Sequence, residues 1–222
     1  QSYFLHTSQI QKYAEAQRDL YSKLTVTGYK GIVHSDRILI DIDVKDDLAK
    51  ALGVTRSIIS QLNKSFHIPT SALHCKFSGS KGFHLDIPTV LFAGLEASVT
   101  LPSLHREIVT NLCRGFEEYI DTSIYHTVAL IRVENTINDK TGLFSIPLSF
   151  DEINTLTIDE ITELAKQPRQ LVAHPIEHKL IDGLVQLKKS ATLTIQTEPP
   201  VSSSINLGTM YSQPSSNKMN SV

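Results

Sequence analysis

Two aspartates separated by one residue are the clearest sign of chemistry in this chain. Asp41 and Asp43 end the aliphatic run at residues 38–43. Alternate side chains of a strand point to the same face, so a strand here would place both carboxylates together. Carboxylate oxygens suit Mg²⁺ or Mn²⁺, hard ions that keep water or substrate phosphates in their other positions. A strand that ends in a solvated acidic turn explains the pair equally well, so both interpretations stay open.

A serine- and glycine-rich turn at residues 78–82 follows further along the chain, between two strand-like runs. Its glycines allow positive φ and close approach of the backbone. Backbone N–H groups, serine hydroxyls and a lysine ammonium in such a turn would hold an anion such as a triphosphate. An ordinary hairpin with a solvated lysine and a partly buried histidine is the alternative. The candidate anion ligands are Ser78, Ser80, Lys81 and His84.

A third segment begins at Asp121, passes through Arg132 and reaches a Lys-Thr-Gly turn at 140–142 before an apolar strand. In this order the three segments closely resemble the archaeo-eukaryotic primase superfamily, which includes the small catalytic subunit of replicative primases and the primase-polymerases. The resemblance covers roughly residues 36–150.

The resemblance implies a role for each matching residue. Two catalytic Mg²⁺ or Mn²⁺ ions would be bound by Asp41, Asp43 and Asp121. Such a pair of ions stabilises the attacking 3′-oxygen and the departing pyrophosphate in nucleotidyl transfer. Glu134 and Asp139 are nearby carboxylates that would replace Asp121 if the third motif were aligned to another acid. The nucleotide would be bound by Ser78, Ser80, Lys81, His84 and Arg132.

The resemblance also implies an α/β (α+β) fold. Its core would have two subdomains with mixed sheets, one of them similar to an RNA-recognition motif (RRM-like), and the active site would lie in the cleft between them. We expect residues 1–168 to form this catalytic domain and 169–222 to form an extension. From about residue 198 the extension is rich in Ser, Pro, Asn and Thr, which is typical of a disordered linker.

Composition restricts the partners. The net charge of −2 argues against tight binding to nucleic acid by bulk electrostatics, so a template groove must be local. No apolar run approaches the ~18 residues of a membrane span and no signal sequence is evident. We therefore expect no membrane contact and a cytoplasmic protein, nucleoid-associated if bacterial.

Metal and nucleotide motifs of other classes are not found in the sequence. His67, His74, Cys75 and Cys113 show no chelate spacing, so we expect no zinc. No Walker-type phosphate loop occurs either, which argues against a helicase or ATPase in this chain.

Local patterns predict the elements around these motifs. Four-residue spacing of apolar side chains predicts a helix from Ser103 that delivers Asp121 at its end, and the run 129–133 containing Arg132 is strand-like. The other predicted elements are helices at 8–24, 46–52, 55–66 and 157–165, a hairpin at 73–87, a strand at 143–148 and a short helix or strand at 180–187.

The sequence thus predicts a DNA-directed nucleotidyltransferase that makes or extends short primers on single-stranded DNA from NTPs or dNTPs. Lacking a zinc module, it is more typical of the replication of a mobile element, and its tail would lead to a helicase or another replication domain. Two alternatives stay open. One is a repair polymerase of the end-joining type, and the other is a non-catalytic nucleic-acid-binding module on the same fold.

Overall fold

An antiparallel four-stranded sheet is the centre of the computed structural model, which describes residues 4–5, 31–171 and 179–197. The strand order is β3-β5-β4-β6, and β1 pairs with β2 in a separate two-stranded sheet. The α+β class is therefore confirmed, but the mixed sheets expected from the resemblance are not present among the described strands, whose pairings are all antiparallel. The predicted helix at 8–24 and the predicted linker from 198 lie outside the described residues. The strands are β1 (Phe4–Leu5), β2 (Val33–His34), β3 (Arg37–Asp43), β4 (His74–Phe77), β5 (Gly82–Pro88) and β6 (Ile146–Leu148).

Helices cover one face of this sheet. They are α1 (Leu48–Phe66), α2 (Leu101–Leu112), α3 (Phe150–Thr155), α4 (Ile158–Leu164) and α5 (Asp182–Thr197). In β3 the side chains of Ile38, Ile40 and Ile42 are fully buried towards the helices, and α1 and α2 both contact this strand. Burial of one such side chain stabilises the fold by about 1.5–3 kcal/mol. No helix of these segments is long and apolar enough to cross a membrane.

The hairpin that was predicted at 73–87 is present as β4 and β5, whereas β6 is shorter than the predicted strand at 143–148. The register pairs Asp41 with His84 and His84 with Lys76 across three strands. Residues that lie opposite each other in an antiparallel sheet share a face. This row of polar side chains therefore lies on the face opposite the buried isoleucines.

The two helices predicted at 46–52 and 55–66 are one helix, α1. Its N-cap is Asp47, whose carboxylate accepts a hydrogen bond from the Lys50 backbone N–H over 2.8 Å. It ends at His67, which adopts a left-handed conformation. Gly53 does not interrupt it, because a glycine in a helix costs only about 1 kcal/mol and the buried face on both sides of it outweighs that cost.

The prediction that a helix from Ser103 delivers Asp121 was wrong. Helix α2 ends at Leu112, with Cys113 as its C-cap, and Gly115 at φ +90° takes the chain out of helical geometry. The chain then makes a 3₁₀ turn at Glu117–Tyr119. Asp121 thus reaches the sheet through an extended segment rather than from a helix end.

Helices α3 and α4 pack behind the sheet and are both fixed by capping boxes. The helix predicted at 157–165 is present as α4 and begins with a Thr157–Glu160 capping box, and an equivalent Ser149–Glu152 box begins α3. Arg56 of α1 donates to the carbonyl oxygens of Ile153 and Leu156 at 2.6 and 2.7 Å. These bonds satisfy acceptors at the end of α3 and tie it to α1.

Helix α5 is longer than the short element predicted at 180–187. It packs against α2, and Leu184 and Ala191 join the main core. Its start is attached to the body by a hydrogen bond from the Ile181 N–H to the Leu91 carbonyl oxygen, 2.9 Å long. The core therefore includes residues beyond 168, while the division into two domains at that residue stays a prediction.

Candidate active site

Asp41 and Asp43 lie on the same face of β3 and line an open cleft of about 370 Å³. Their side chains are 18% and 30% exposed, so both are accessible from the cleft without being fully solvated. The alternation of β3 causes this placement, because the intervening Ile42 is fully buried on the other face. The strand geometry expected for a metal-binding pair is therefore present.

Asp121 reaches the same edge of β3 through backbone pairing. Ile120 forms an antiparallel bridge with Ile42, and the Asp121 N–H donates to the Asp41 carbonyl oxygen over 2.9 Å. Four residues further on, the buried Tyr125 hydroxyl donates to the Leu39 carbonyl oxygen over 2.7 Å. The segment that carries Asp121 is thus fixed to β3 at two points.

The Asp121 side chain has a local role in the turn that follows it. Its Oδ1 accepts a hydrogen bond from the Ser123 N–H over 2.8 Å, which caps the 3₁₀ turn at Thr122–Ile124. Asp121 does not line the cleft itself. The turn uses one oxygen of this carboxylate, and the Asp121 charge still acts on Asp41.

The three carboxylates affect one another electrostatically. Burial, followed by the negative charges of Asp121 and of Asp43, raises the pKa of Asp41 to about 7. Two like charges close to a partly buried carboxylate favour a cation between them. The donor set, all carboxylate oxygen, is of the type that Mg²⁺ and Mn²⁺ prefer.

The chemical types of these side chains suit a divalent-metal site, but their positions in the structure do not yet group three ligands around one point. Within residues 31–171 and 179–197, no three His, Cys, Asp or Glu side chains are already grouped closely enough to hold an ion. Asp41 and Asp43 would supply two ligands on one face of β3, and the Asp121 oxygen that Ser123 does not use would supply the third. The metal assignment of all three residues stays a prediction.

The serine-glycine turn lies opposite the acidic pair, but much of its hydrogen bonding is internal. The Ser78 hydroxyl accepts from the N–H groups of Ser80 and Gly82, at 3.4 and 3.3 Å. These two amides are therefore occupied in holding the turn. Charge on this side of the cleft comes instead from Lys81, whose Nζ lies 2.9 Å from Asp43 Oδ2 and whose pKa that carboxylate raises.

His84 is buried at the base of the cleft and is neutral at pH 7. Burial, together with the positive charges of Lys76 and Arg132, lowers its pKa to about 3. Its Nε2 lies 3.4 Å from Asp41 Oδ1, which makes this a contact with a neutral ring and not an ion pair. A neutral imidazole has one N–H that can donate a hydrogen bond.

Lys76 is a charged residue of this site that the sequence analysis missed. It is only 8% exposed and pairs across the sheet with His84. Its positive charge opposes the rise that burial causes in the pKa of Asp41 and of Asp86, and it adds to the fall that burial causes in the pKa of His84. The alternation of β4 was a usable signal, since it places Lys76 on the polar face of the hairpin.

Arg132 also lines the cleft, although the run 129–133 is not a strand as predicted. It lies in an irregular loop, where its Nη1 donates to the Ile137 carbonyl oxygen over 2.8 Å. A loop position near the site explains a charged residue in this apolar run without any strand. Other lining residues, for which the sequence analysis assigned no nucleotide contact, are Leu130, Ile131, Asn138, Asp139 and Lys140.

The two carboxylates considered as substitutes for Asp121 differ in position. Glu134 is hydrogen-bonded to His74 of β4, an interaction that lowers the pKa of Glu134. It does not line the cleft, whereas Asp139 does. Asp139 is therefore the stronger of the two substitutes.

The second and third motifs are in direct contact behind the cleft. The Thr141 hydroxyl donates to the Gly79 carbonyl oxygen. Gly79 has φ +79°, and a Cβ there would lie 3.0 Å from the Leu143 carbonyl oxygen. A Cβ at Gly82 would lie only 1.8 Å from the Ile42 carbonyl oxygen, so both glycines are needed for close backbone approach.

All the predicted site residues except Asp121 line this one cleft. They come from β3, from the hairpin turn with β5, and from the loop that follows Asp121. Comparison of the chain with models of known protein families found no match, and neither did comparison with curated protein sequences.

Proposed function

We propose that this chain is a DNA-directed nucleotidyltransferase of the primase-polymerase type, which makes or extends short primers on single-stranded DNA. One observation carries the proposal. Carboxylates from β3 and cationic or polar side chains from two other segments line the same cleft, with Asp121 attached to the Asp41 backbone beside it. This is the division of charge that nucleotidyl transfer requires, with metal ligands next to a phosphate-binding wall.

Asp41, Asp43 and Asp121 would hold two Mg²⁺ or Mn²⁺ ions. When bound, such ions supply positive charge to both the attacking 3′-oxygen and the leaving pyrophosphate. The chain's own residues do the rest. Lys81 and Arg132 bind and neutralise the β- and γ-phosphates, while His84 donates a hydrogen bond from a ring whose buried position fixes its orientation.

The polar and cationic side chains that line the cleft keep the triphosphate in line with Asp41 and Asp43. Lys81 is within 2.9 Å of Asp43, so its ammonium is positioned beside the carboxylates before any substrate binds. Ser80, in the same turn as Lys81, also lines the cleft. We also propose that the sheet and its helices form one part of a primase-like core with an RRM-like arrangement. The tail would connect this core to a replication partner.

The experiment that tests this proposal is synthesis from labelled nucleotides on a single-stranded DNA template with Mn²⁺ or Mg²⁺. We expect short products from the wild-type chain and a loss of at least about 100-fold in Asp41→Asn and in Asp43→Asn. Asp36→Asn is the matched control, because Asp36 is an exposed carboxylate just before β3 that does not line the cleft. It should retain wild-type synthesis.

The alternatives give different results in the same assay. A clear preference for a gapped template with a 5′-phosphate, with no synthesis on unprimed DNA, would favour an end-joining repair polymerase. Binding of single-stranded DNA without any nucleotide incorporation in either metal would favour a non-catalytic binding module. Equal synthesis by Asp41→Asn and wild type would overturn the metal assignment.

A further inference from the structure

Leu130 is an exposed aliphatic side chain in the wall of a polar cleft. It is 83% exposed, the highest value among the exposed large hydrophobic residues of the described segments. Single exposed leucines are common on protein surfaces. Leu130 differs because it lines the candidate active site, two residues before Arg132.

The rest of that wall is polar or charged. Among the described residues that line the cleft, Leu130 and Ile131 are the aliphatic ones, and Ile131 packs partly against the core. Leu130 therefore offers the largest free apolar surface in the site. A ligand that matches the whole cleft has an anionic part for Lys81 and Arg132 and an uncharged part with apolar surface for Leu130.

A nucleoside triphosphate has these two parts. Two residues of chain span at most about 7 Å, so Leu130 lies within that reach of the backbone of Arg132. This is of the order of the distance between the α-phosphate and the base of a nucleotide. Both residues line the same cleft, so a phosphate bound there by Arg132 leaves the base in the cleft whose wall includes Leu130.

We propose that Leu130 contacts the nucleobase of the incoming nucleotide and covers one face of it, while Arg132 binds its phosphates. This inference rests on the proposed function and names a base contact that the function itself does not require. An aliphatic side chain has no hydrogen-bonding groups, so it contacts every base without selecting among them. Choice of base is then left to the template.

The test compares equilibrium binding of two probes in the presence of Mg²⁺ and without template: a deoxynucleoside triphosphate and inorganic tripolyphosphate. Leu130→Ala should weaken binding of the nucleotide by about three- to tenfold, because it removes apolar contact with the base. It should leave the binding of tripolyphosphate unchanged. Arg132→Ala should weaken binding of both probes.

Leu193→Ala is the matched control, since Leu193 is 62% exposed on α5 and does not line the cleft. It should change neither affinity. Leu130 is exposed, so its replacement should leave the melting temperature near that of wild type.

Two results would overturn the base contact while the proposed function survives. One is a Leu130→Ala variant with wild-type affinity for both probes. The other is equal weakening of both, which would mean that Leu130 acts through the position of the Arg132 loop. A wild-type protein that binds neither probe would instead overturn the proposed function together with this inference.

Discussion

The backbone N–H of Asp121 donates a hydrogen bond to the carbonyl oxygen of Asp41 over 2.9 Å. Together with the bridge between Ile120 and Ile42, this bond attaches the third predicted carboxylate to the strand that carries the other two. The position of Asp121 therefore depends on main-chain pairing, and its side chain can be altered without displacing the backbone.

Asp121→Asn tests the role of the third carboxylate. The substitution keeps the size of the side chain and an oxygen for the Ser123 N–H, but removes the charge beside Asp41. We expect kcat to fall by at least about tenfold with little change in the nucleotide KM. Metal placement is disturbed, but Lys81 and Arg132, which bind the phosphates, are unchanged. Steady-state kinetics would measure both constants.

Asp139→Asn is the comparison variant, because Asp139 is another carboxylate that lines the cleft. It should retain most of the wild-type kcat. An Asp121→Asn enzyme of normal kcat beside an inactive Asp139→Asn enzyme would show that the third motif had been aligned to the wrong acid.

Arg132→Ala tests the phosphate-binding wall. Loss of a hydrogen bond to a charged group costs about 1.5–3 kcal/mol, so the apparent nucleotide KM should rise by at least about tenfold. Arg114→Ala, which removes an exposed arginine outside the cleft, is the control and should leave KM unchanged. An unchanged KM in Arg132→Ala would mean that this arginine serves only its loop.

Two glycine-to-alanine substitutions should change stability in opposite directions. A Cβ at Gly82 meets the Ile42 carbonyl oxygen at 1.8 Å, so Gly82→Ala should reduce the free energy of unfolding by at least about 2 kcal/mol. A Cβ at Gly53 meets nothing within 4 Å in the middle of α1, so Gly53→Ala should increase that free energy by about 0.5–1 kcal/mol. Urea denaturation measures both. A Gly82→Ala variant as stable as wild type would contradict the pairing of Asp43 with Gly82.

His105 gives the fold a defined dependence on pH. It lies in α2 at 1% exposure, and burial lowers its pKa to about 3 from an ordinary value of 6.5. Between these values the unfolded chain binds a proton that the native protein does not, so stability falls as the pH drops below 6.5. The loss should be about 2 kcal/mol at pH 5.

Replacement by a neutral residue should remove this contribution. In His105→Gln the free energy of unfolding should change less between pH 7 and pH 5 than in wild type, as followed by urea denaturation at each pH. His126→Gln, at an exposed histidine, should keep the wild-type slope. An unaltered slope in His105→Gln would show that His105 does not remain neutral in the folded protein.

Local patterns in the sequence predicted the elements that carry the first two motifs. The alternation of β3 and the turn residues between β4 and β5 are short-range signals, and both produced the structure expected. The Thr157–Glu160 cap is equally local. Each of these features depends on residues within a few positions of one another, which is why single-sequence reasoning could find them.

The errors occurred where distant contacts decide the structure. Apolar spacing continues to Ile120, but α2 ends at Leu112, and the pairing of Ile120 with Ile42 fixes the chain there as an extended segment. Arg132 lies in a loop whose path depends on contacts such as the bond between Glu134 and His74, which are far apart in sequence. Lys76 was missed for a similar reason, since its effect on Asp41 acts across two strand pairings.

The most direct measurement of the central claim is whether the template dictates which nucleotide is incorporated. The chain would be incubated with Mn²⁺ and each labelled nucleotide in turn on a homopolymeric thymidine template, with EDTA in a parallel reaction. We predict that adenine nucleotides alone are incorporated and that EDTA stops incorporation, because the Asp41 and Asp43 carboxylates act through bound metal. A folded protein that binds nucleotide but incorporates none in either Mn²⁺ or Mg²⁺, or incorporates all four bases equally, would contradict the account.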